Sequence, residues 1–295
     1  MTRGSSATHP NLPDAVLVDG TAWREGLAGT PSALDRGLHF GDGLFETIAC
    51  RGGRPRFAGL HLQRLALGCE RLGIALPRPA ELRAEIELLA ADREASLVKV
   101  IVTRGPATGR GYGARGDERP TRISLRYGWP PEDPRLQDEG VAVQLSEFRL
   151  GENAELAGLK HLSRLDLVLA RRGLEAAGVD ELLLFSSSGR LVSGSMTNVF
   201  LVEGGRLRTP RIDLCGVAGV MRRVVLRAAE RAGLAVEEAA LGREDLERAQ
   251  EVFLTNARVG IWPVRRVHTR TLSPGPLTRR VQQLIAPSLE EATDG

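Results

Sequence analysis

Glu155 to Arg172 reads ELAGLKHLSRLDLVLARR, and Lys160 decides how the stretch is understood. Lysine and arginine together number 40, yet Lys99 and Lys160 are the only lysines, so nearly every basic position is arginine. An arginine stays protonated near neutral pH, whereas a lysine amine can lose its proton, attack a carbonyl and form a Schiff base. A lysine retained against such a bias is a candidate for that chemistry, weighed against the plain alternative of a surface residue. The surroundings favour chemistry. Gly158 loosens the backbone before it, and Leu162, Leu165, Val168 and Leu169 follow at helical spacing, which predicts an amphipathic helix to about Ala177 with Lys160 at its mouth. Lys99, in the alternating run LVKVIVT, reads as a structural or surface residue of a strand.

The chain has 295 residues, 42% of them apolar, enough for a large core and better suited to two domains than to one. Its formal charge of +3 is mildly basic. Arg and Glu alternate throughout, and no basic run with interleaved aromatics appears, which argues against nucleic-acid binding and agrees with an enzyme for anionic metabolites. Cys50, Cys69 and Cys215 are odd in number and far apart, as free buried thiols of a reducing compartment would be. No run approaches the ~20 apolar residues that cross a bilayer, and the first residues are polar, so the expectation is a soluble, cytoplasmic protein.

Read in order, residues 1–14 look like a disordered arm, 15–128 a smaller α/β domain, 129–134 a proline-rich linker and 135–288 a larger domain carrying Lys160. Asp19-Gly20 is the turn of a first hairpin, and Gly37, Gly41 and Gly43 read as turns before a strand from Leu44 to Cys50. Helices are expected from Gly59 to Leu72 and from Pro79 to Ala91, and strands from Leu97 to Thr103 and from Arg122 to Tyr127. Between those strands lies RGPATGRGYGARGDERP, too polar to pack and long enough to meet a substrate, although a floppy insertion would look the same. Strands at Val141–Phe148, Glu181–Ser186, Leu234–Glu237, Val252–Thr255 and Ile261–Val267, with a helix from about Val220 to Ala232, make up the larger domain, and the acidic end looks frayed.

GVAGVMRR, Gly216 to Arg223, sets the N–H groups of Val220 and Met221 at a helix start, where unpaired donors and the helix dipole favour an anion. Arg64, in HLQRL, could supply a matching positive charge. No dinucleotide fingerprint, P-loop or metal-ligand spacing is present, and His39 and His61 read as structural. A lysine together with a phosphate site points to pyridoxal phosphate.

LDRGLHFGDGLFET, HLQRL, VTRGPATGRGY, LAGLKHLSRLDLVLAR, GVAGVMR and VFLTNARVGIWPV then occur in the order seen in the class IV pyridoxal-phosphate enzymes, which the chain resembles from about Val16 to Ile285. That family includes branched-chain and D-amino-acid aminotransferases and aminodeoxychorismate lyases. TRGPATGRGY resembles the RGxGGRGY loop of the lyases, and LAGLKHLSRLDLVL their LAGIKHLNRLEQVL segment. The resemblance implies the α/β (α+β) class and a two-domain fold type IV enzyme, with a smaller N-terminal α/β domain, a larger barrel-like C-terminal α/β domain, pyridoxal 5'-phosphate in the cleft and a homodimer. It makes Lys160 the Schiff-base lysine, Arg64 a phosphate ligand, Val220 and Met221 the backbone phosphate cradle and Asn256 a neighbour of that phosphate. Arg110 becomes a substrate carboxylate anchor with Tyr112 beside it; Arg104 and Arg115 are the loop's other cations. The implied substrate is 4-amino-4-deoxychorismate, split to 4-aminobenzoate and pyruvate.

Two positions depart from the wider family. Counting back five from Asn198 gives Ser193, where a glutamate usually pairs with the cofactor's pyridine nitrogen. Five after Lys160 stands Leu165, where the aminotransferases carry a tyrosine and the lyases do not. An aminotransferase of the same family and a cofactor-free binding protein are the two other readings. Glu46 and Thr47 both remain open as a proton shuttle.

Overall fold

The computed structural model describes residues 12–23, 30–172, 174 and 178–290. Most of the expected N-terminal arm, and residues 173 and 175–177 of the helix expected after Lys160, lie outside them. Residues up to Glu132 form one unit and those from Asp133 a second.

The first unit is one antiparallel sheet with helices on one face. Its strands are β1 (Pro13–Val18), β2 (Thr21–Ala22), β3 (Gly43–Arg51), β4 (Arg54–Pro55), β5 (Ala95–Thr103) and β6 (Arg122–Gly128), in the order β2-β1-β6-β5-β3-β4. In β5 the alternation of the sequence becomes alternation of faces: Ser96, Val98, Val100 and Val102 are buried, while Leu97, Lys99 and Ile101 are half-buried on the other side. Glu46 pairs with Val100 and therefore joins the buried face; Thr47 pairs with Lys99 on the opposite one. Helices α2 (Ala58–Leu72) and α3 (Pro79–Ala90) cover the buried face through Leu60, Leu65, Leu82 and Ile86. Gly68 lets α2 sit close, since a Cβ there would lie 2.7 Å from a methyl of Leu44. A short helix α1 (Arg36–Phe40), capped by the Asp35 carboxylate, stands where the sequence suggests only turns.

The second unit holds a nine-stranded sheet. After a short helix α4 (Arg135–Asp138) come β7 (Val141–Leu150), α5 (Leu165–Arg171), β8 (Glu181–Ser186), β9 (Leu191–Gly194), β10 (Asn198–Glu203) and β11 (Arg206–Pro210). They are followed by α6 (Val220–Arg231), β12 (Val236–Ala239), α7 (Arg243–Arg248), β13 (Glu251–Asn256), β14 (Gly260–Val267), β15 (Arg270–Thr271) and α8 (Pro276–Glu290). The order is β12-β11-β10-β13-β14-β7-β8-β9, with β15 on β14. Edge strand β9 lies against β10 and β11, so the sheet curls back on itself in the barrel-like form of the resemblance. Its inside is filled by Val143, Leu183, Leu191, Val199, Leu201, Leu254 and Val264. Phe200 stacks on Phe253 across the strand pair at 4.9 Å, and α6 and α8 pack on β13 and on each other.

Two elements differ from the expectation. The helix after Lys160 begins only at Leu165, and Leu165 and Val168 are exposed. The last strand is followed by α8, for which no element is expected, with Pro276 at its first position, where a missing N–H costs nothing, and Thr278, Val281 and Ile285 buried; most of the acidic end expected to fray lies outside the described residues.

Candidate active site

Lys160 sits in an extended segment gripped on both sides. Two residues before it, Gly158 (φ +83°) bridges Val217: Gly158 N donates to Gly216 O at 3.0 Å and Ala218 N to Gly158 O at 3.1 Å. After it, Arg164 donates from Nη2 to Leu159 O at 2.5 Å and from Nε to His161 O at 3.1 Å, tying down the carbonyls on either side of Lys160. Those two bonds keep the segment out of the helix and explain its late start. Desolvation, helped by the neighbouring Arg164 charge and opposed by Asp166, lowers the His161 pKa to about 4, so its ring is neutral near pH 7.

The strap at Gly158 brings Lys160 to the start of α6. Residues 216–218, which it binds, lead into Gly219, the N-cap, and no side chain caps the helix. The first-turn N–H groups of Val220 and Met221 thus have no acceptor within the helix, which is the condition for anion binding. A Cβ on Gly219 would lie 2.0 Å from Asn198 Oδ1, so only bare backbone fits there. The Asn198 amide donates to Val217 O at 2.9 Å, fixing the approach to the helix from β10.

Glu181, fully buried, organises the turn ahead of Asn198. Its carboxylate accepts from the N–H groups of Leu182, Ser195 and Met196 and from the hydroxyls of Ser195 and Thr197. Arg171 of α5 donates to the same Ser195 hydroxyl at 2.5 Å. Met196 O in turn accepts from Asn256 Nδ2 at 3.3 Å, while Asn256 Oδ1 accepts from the N–H groups of Arg258 and Val259 at 3.0 Å each. Asn256 is therefore brought to the turn before Asn198 and also caps its own. Ser193, on β9 opposite Leu184, is 8% exposed and its Oγ donates to Gly194 O at 2.8 Å. Lys160, Asn198, Asn256 and the start of α6 are thus knit together inside one unit.

The remaining candidates belong to the first unit. Arg64, on α2, forms a fork with Glu46: Nε to Oε1 at 2.8 Å and Nη2 to Oε2 at 2.5 Å. His61 Nδ1 donates to Glu46 Oε2 at 2.6 Å. Burial pushes the Glu46 carboxyl up, but the Arg64 guanidinium and the His61 ring outweigh it and hold it down at about 2. Glu46 is thus held as an anion, with both carboxylate oxygens engaged by Arg64 and one also by His61. Arg110 and Tyr112 are exposed in the loop after β5, Tyr112 at 84%. Arg104 is not an available cation: it donates to both Asp42 oxygens and to the carbonyls of Leu72 and Gly73. Lys99 lies 5.2 Å over the Phe45 ring, and burial lowers its pKa. Sequence reading passes over Asp35, Arg36, Arg164 and Glu181, whose partners are distant in the chain or are backbone carbonyls; charged residues flanking glycine turns are the one local signal.

The chain belongs to the amino-transferase class IV family, whose model matches residues 43–267. It is 31% identical over 265 residues to the aminodeoxychorismate lyase of Vibrio harveyi, covering 88% of this chain and 97% of that protein. It is 34% identical over 255 residues to a probable branched-chain-amino-acid aminotransferase of Thermotoga maritima, covering 84% and 88%. The solved 4-amino-4-deoxychorismate lyase of Pseudomonas aeruginosa superposes with a TM-score of 0.87 at 41% identity, over 93% of this chain and 99% of that one.

Proposed function

We propose that the protein is a pyridoxal-phosphate-dependent 4-amino-4-deoxychorismate lyase, releasing 4-aminobenzoate and pyruvate. The observation that carries the reading is the joining of Lys160 to the start of α6 through Gly158, in a chain 41% identical to the lyase of P. aeruginosa. The site fits the cofactor: Gly219 leaves a cradle of bare N–H groups that a phosphate would occupy, and the segment leading into it is strapped to Gly158, two residues before Lys160. Lys160, Val220, Met221 and Asn256 would hold it, with Arg64 as the cationic phosphate ligand and Ser193 beside its ring nitrogen. When bound, pyridoxal phosphate supplies the carbonyl that condenses with the substrate amine and a ring that accepts electrons.

Lys160 then works as base and acid. Its amine takes the proton from the ring carbon bearing nitrogen; the carbon–oxygen bond to the enolpyruvyl group breaks, and the ring becomes aromatic. The ammonium so formed returns the proton to the methylene carbon of the departing enolpyruvate, giving pyruvate. Neutral His161 beside it adds no charge that would compete with the ammonium. Arg110 pairs with a substrate carboxylate and Tyr112 packs beside it, so that orientation and charge recognition carry much of the rate. A homodimer working in the cytoplasm belongs to the same reading; among the described residues no helix is long and apolar enough to cross a membrane.

The 34% identity to a probable aminotransferase favours a second reading, amino-group transfer to a 2-oxo acid. One experiment separates the two. Enzymatically made 4-amino-4-deoxychorismate is added and 4-aminobenzoate followed by fluorescence. Product is expected with wild type; its absence, together with conversion of the cofactor to its pyridoxamine form by L-leucine, L-glutamate or D-alanine, would give the second reading instead.

A further inference from the structure

The loop that carries Arg110 and Tyr112 is held at both ends by one dipeptide. At its neck, Asp35 Oδ2 accepts from Thr103 Oγ1 at 2.9 Å and from Thr121 Oγ1 at 2.6 Å, the residues where the chain leaves β5 and returns toward β6. The neck is tight. A Cβ on Gly105 (φ +95°) would lie 1.8 Å from Arg119 O, and one on Gly37 would lie 2.3 Å from a methyl of Thr103. At its tip, Arg36 Nη2 donates to Tyr112 O at 2.7 Å, and Nη1 donates to Gly113 O at 3.2 Å and Gly111 O at 3.4 Å. Arg36 Nε meanwhile pairs with Asp42 at 2.8 Å, and the residue is only 5% exposed. The Phe40 ring lies 5.2 Å from that of Tyr112, and the Arg36 guanidinium lies 5.0 Å over Phe40.

A planar fork of N–H donors can serve a carboxylate and three carbonyls together; a lysine ammonium cannot reach that set. Burying a cation is costly, and here it is spent on the backbone of a loop tip whose residues, from Thr108 to Asp117, are all exposed. Such an arrangement selects one loop shape before any ligand arrives, which spares the ordering cost on binding. We propose that Arg36 is a positioning residue, presetting the 104–121 loop so that Arg110 and Tyr112 meet the substrate carboxylate in a fixed geometry. The proposal rests on the loop being the substrate element of the reading above.

The test uses Arg36→Gln and Arg36→Lys in the full-length, cofactor-loaded protein. Asp42 keeps Arg104 as a partner in both, so neither strands a carboxylate. Two readouts are needed. Native-state trypsin cleavage after Arg110 and Arg115, both exposed, reports the loop directly; it should speed up about tenfold in Arg36→Gln and less in Arg36→Lys, which keeps the charge without the fork. Steady-state kinetics should give a KM for 4-amino-4-deoxychorismate raised about tenfold with kcat within about threefold, and cofactor retained on dialysis. Unchanged cleavage in both variants would overturn the proposal, and so would faster cleavage with an unchanged KM. Loss of kcat, cofactor and thermal stability together would make Arg36 a general structural residue and overturn it too. A wild type that makes no 4-aminobenzoate would sink the functional reading instead, and the cleavage ratios would still decide whether Arg36 sets the loop.

Discussion

Asn198 occupies the space that any side chain on Gly219 would need: a Cβ there would lie 2.0 Å from Asn198 Oδ1, while the Asn198 amide is held by Val217 O at 2.9 Å. Gly219 has φ −64° and ψ 140°, which every residue can adopt, so space and not backbone strain requires glycine. Gly219→Ala must push Asn198 away from the entrance of α6 and tilt the N–H groups of Val220 and Met221. The expected outcome is a pyridoxal-phosphate affinity lower by at least about tenfold, ~1.4 kcal/mol, in an absorbance titration. An unchanged affinity would remove the helix start from the cofactor site.

Lys160→Ala should abolish formation of 4-aminobenzoate and leave the far-ultraviolet circular dichroism of the protein as it was. Turnover within about tenfold of wild type, ~1.4 kcal/mol in barrier, is too small a loss for a residue proposed as both base and acid. Lys160→Arg should be nearly as inactive, because a guanidinium keeps its proton.

Much of this fold can be read locally, and the reason is periodicity. LVKVIVT alternates and becomes β5; HLQRLALGCERL repeats at helical spacing and becomes α2. The Lys160 helix starts later than its leucines suggest because Arg164 spends its guanidinium on two carbonyls, a bond pattern with no periodic trace. Helix α8 hides behind Pro276 and Pro287, the first of which sits harmlessly at the opening position. The supports of the site are the least legible part. Asp35 reaches Thr103 and Thr121 across 68 and 86 residues, and Arg36 reaches Tyr112 across 76. Only the folded sheet makes such neighbours.

Arg64 and Arg110 should separate cleanly when each is changed to alanine. Arg64 is bonded to a buried carboxylate, so its removal leaves Glu46 with His61 and should cost on the order of 3–5 kcal/mol of stability as well as releasing cofactor. Arg110 is exposed, so its loss should leave the melting temperature alone and raise KM by the equivalent of ~1.5–3 kcal/mol. Thermal melts and dialysis of both variants check this; an Arg110→Ala protein that loses pyridoxal phosphate would place the loop at the cofactor.

Glu46 gives the first unit a specific acid sensitivity. Its folded pKa of about 2 lies below the ordinary 4.5, so its contribution is complete above pH 4.5 and is lost as pH falls toward 2. The size is on the order of 3 kcal/mol across that window. Glu46→Gln cannot titrate, and although less stable at neutral pH it should lose less stability between pH 4.5 and 2. Parallel stability curves for the two proteins in urea melts over that range would show that the carboxylate is not held as described.

In the proposed reading Ser193 lies beside the ring nitrogen of the cofactor. A glutamate in its place would hold the pyridine nitrogen protonated and make the ring a strong electron sink, as amino-group transfer requires, because charge must persist on carbon until it is reprotonated elsewhere. Ser193 is neutral, its Oγ donates to Gly194 O, and it brings no negative charge that would hold a proton on the ring nitrogen as a carboxylate does. The nearest buried acid in sequence, Glu181, is taken up by the turn at residues 195–197. The nitrogen should therefore be largely unprotonated and the sink weak. Elimination tolerates this, since the electrons leave with enolpyruvate and the ring gains aromaticity. Wild type should form little pyridoxamine phosphate with D-alanine or L-glutamate, and Ser193→Glu should form more while still making 4-aminobenzoate. At 8% exposure the position is crowded, so the variant is first checked for cofactor content and melting temperature. Stopped-flow spectra then decide: equal rates of pyridoxamine formation in two fully loaded proteins would sink the electronic argument and leave the lyase reading on its lysine and loop.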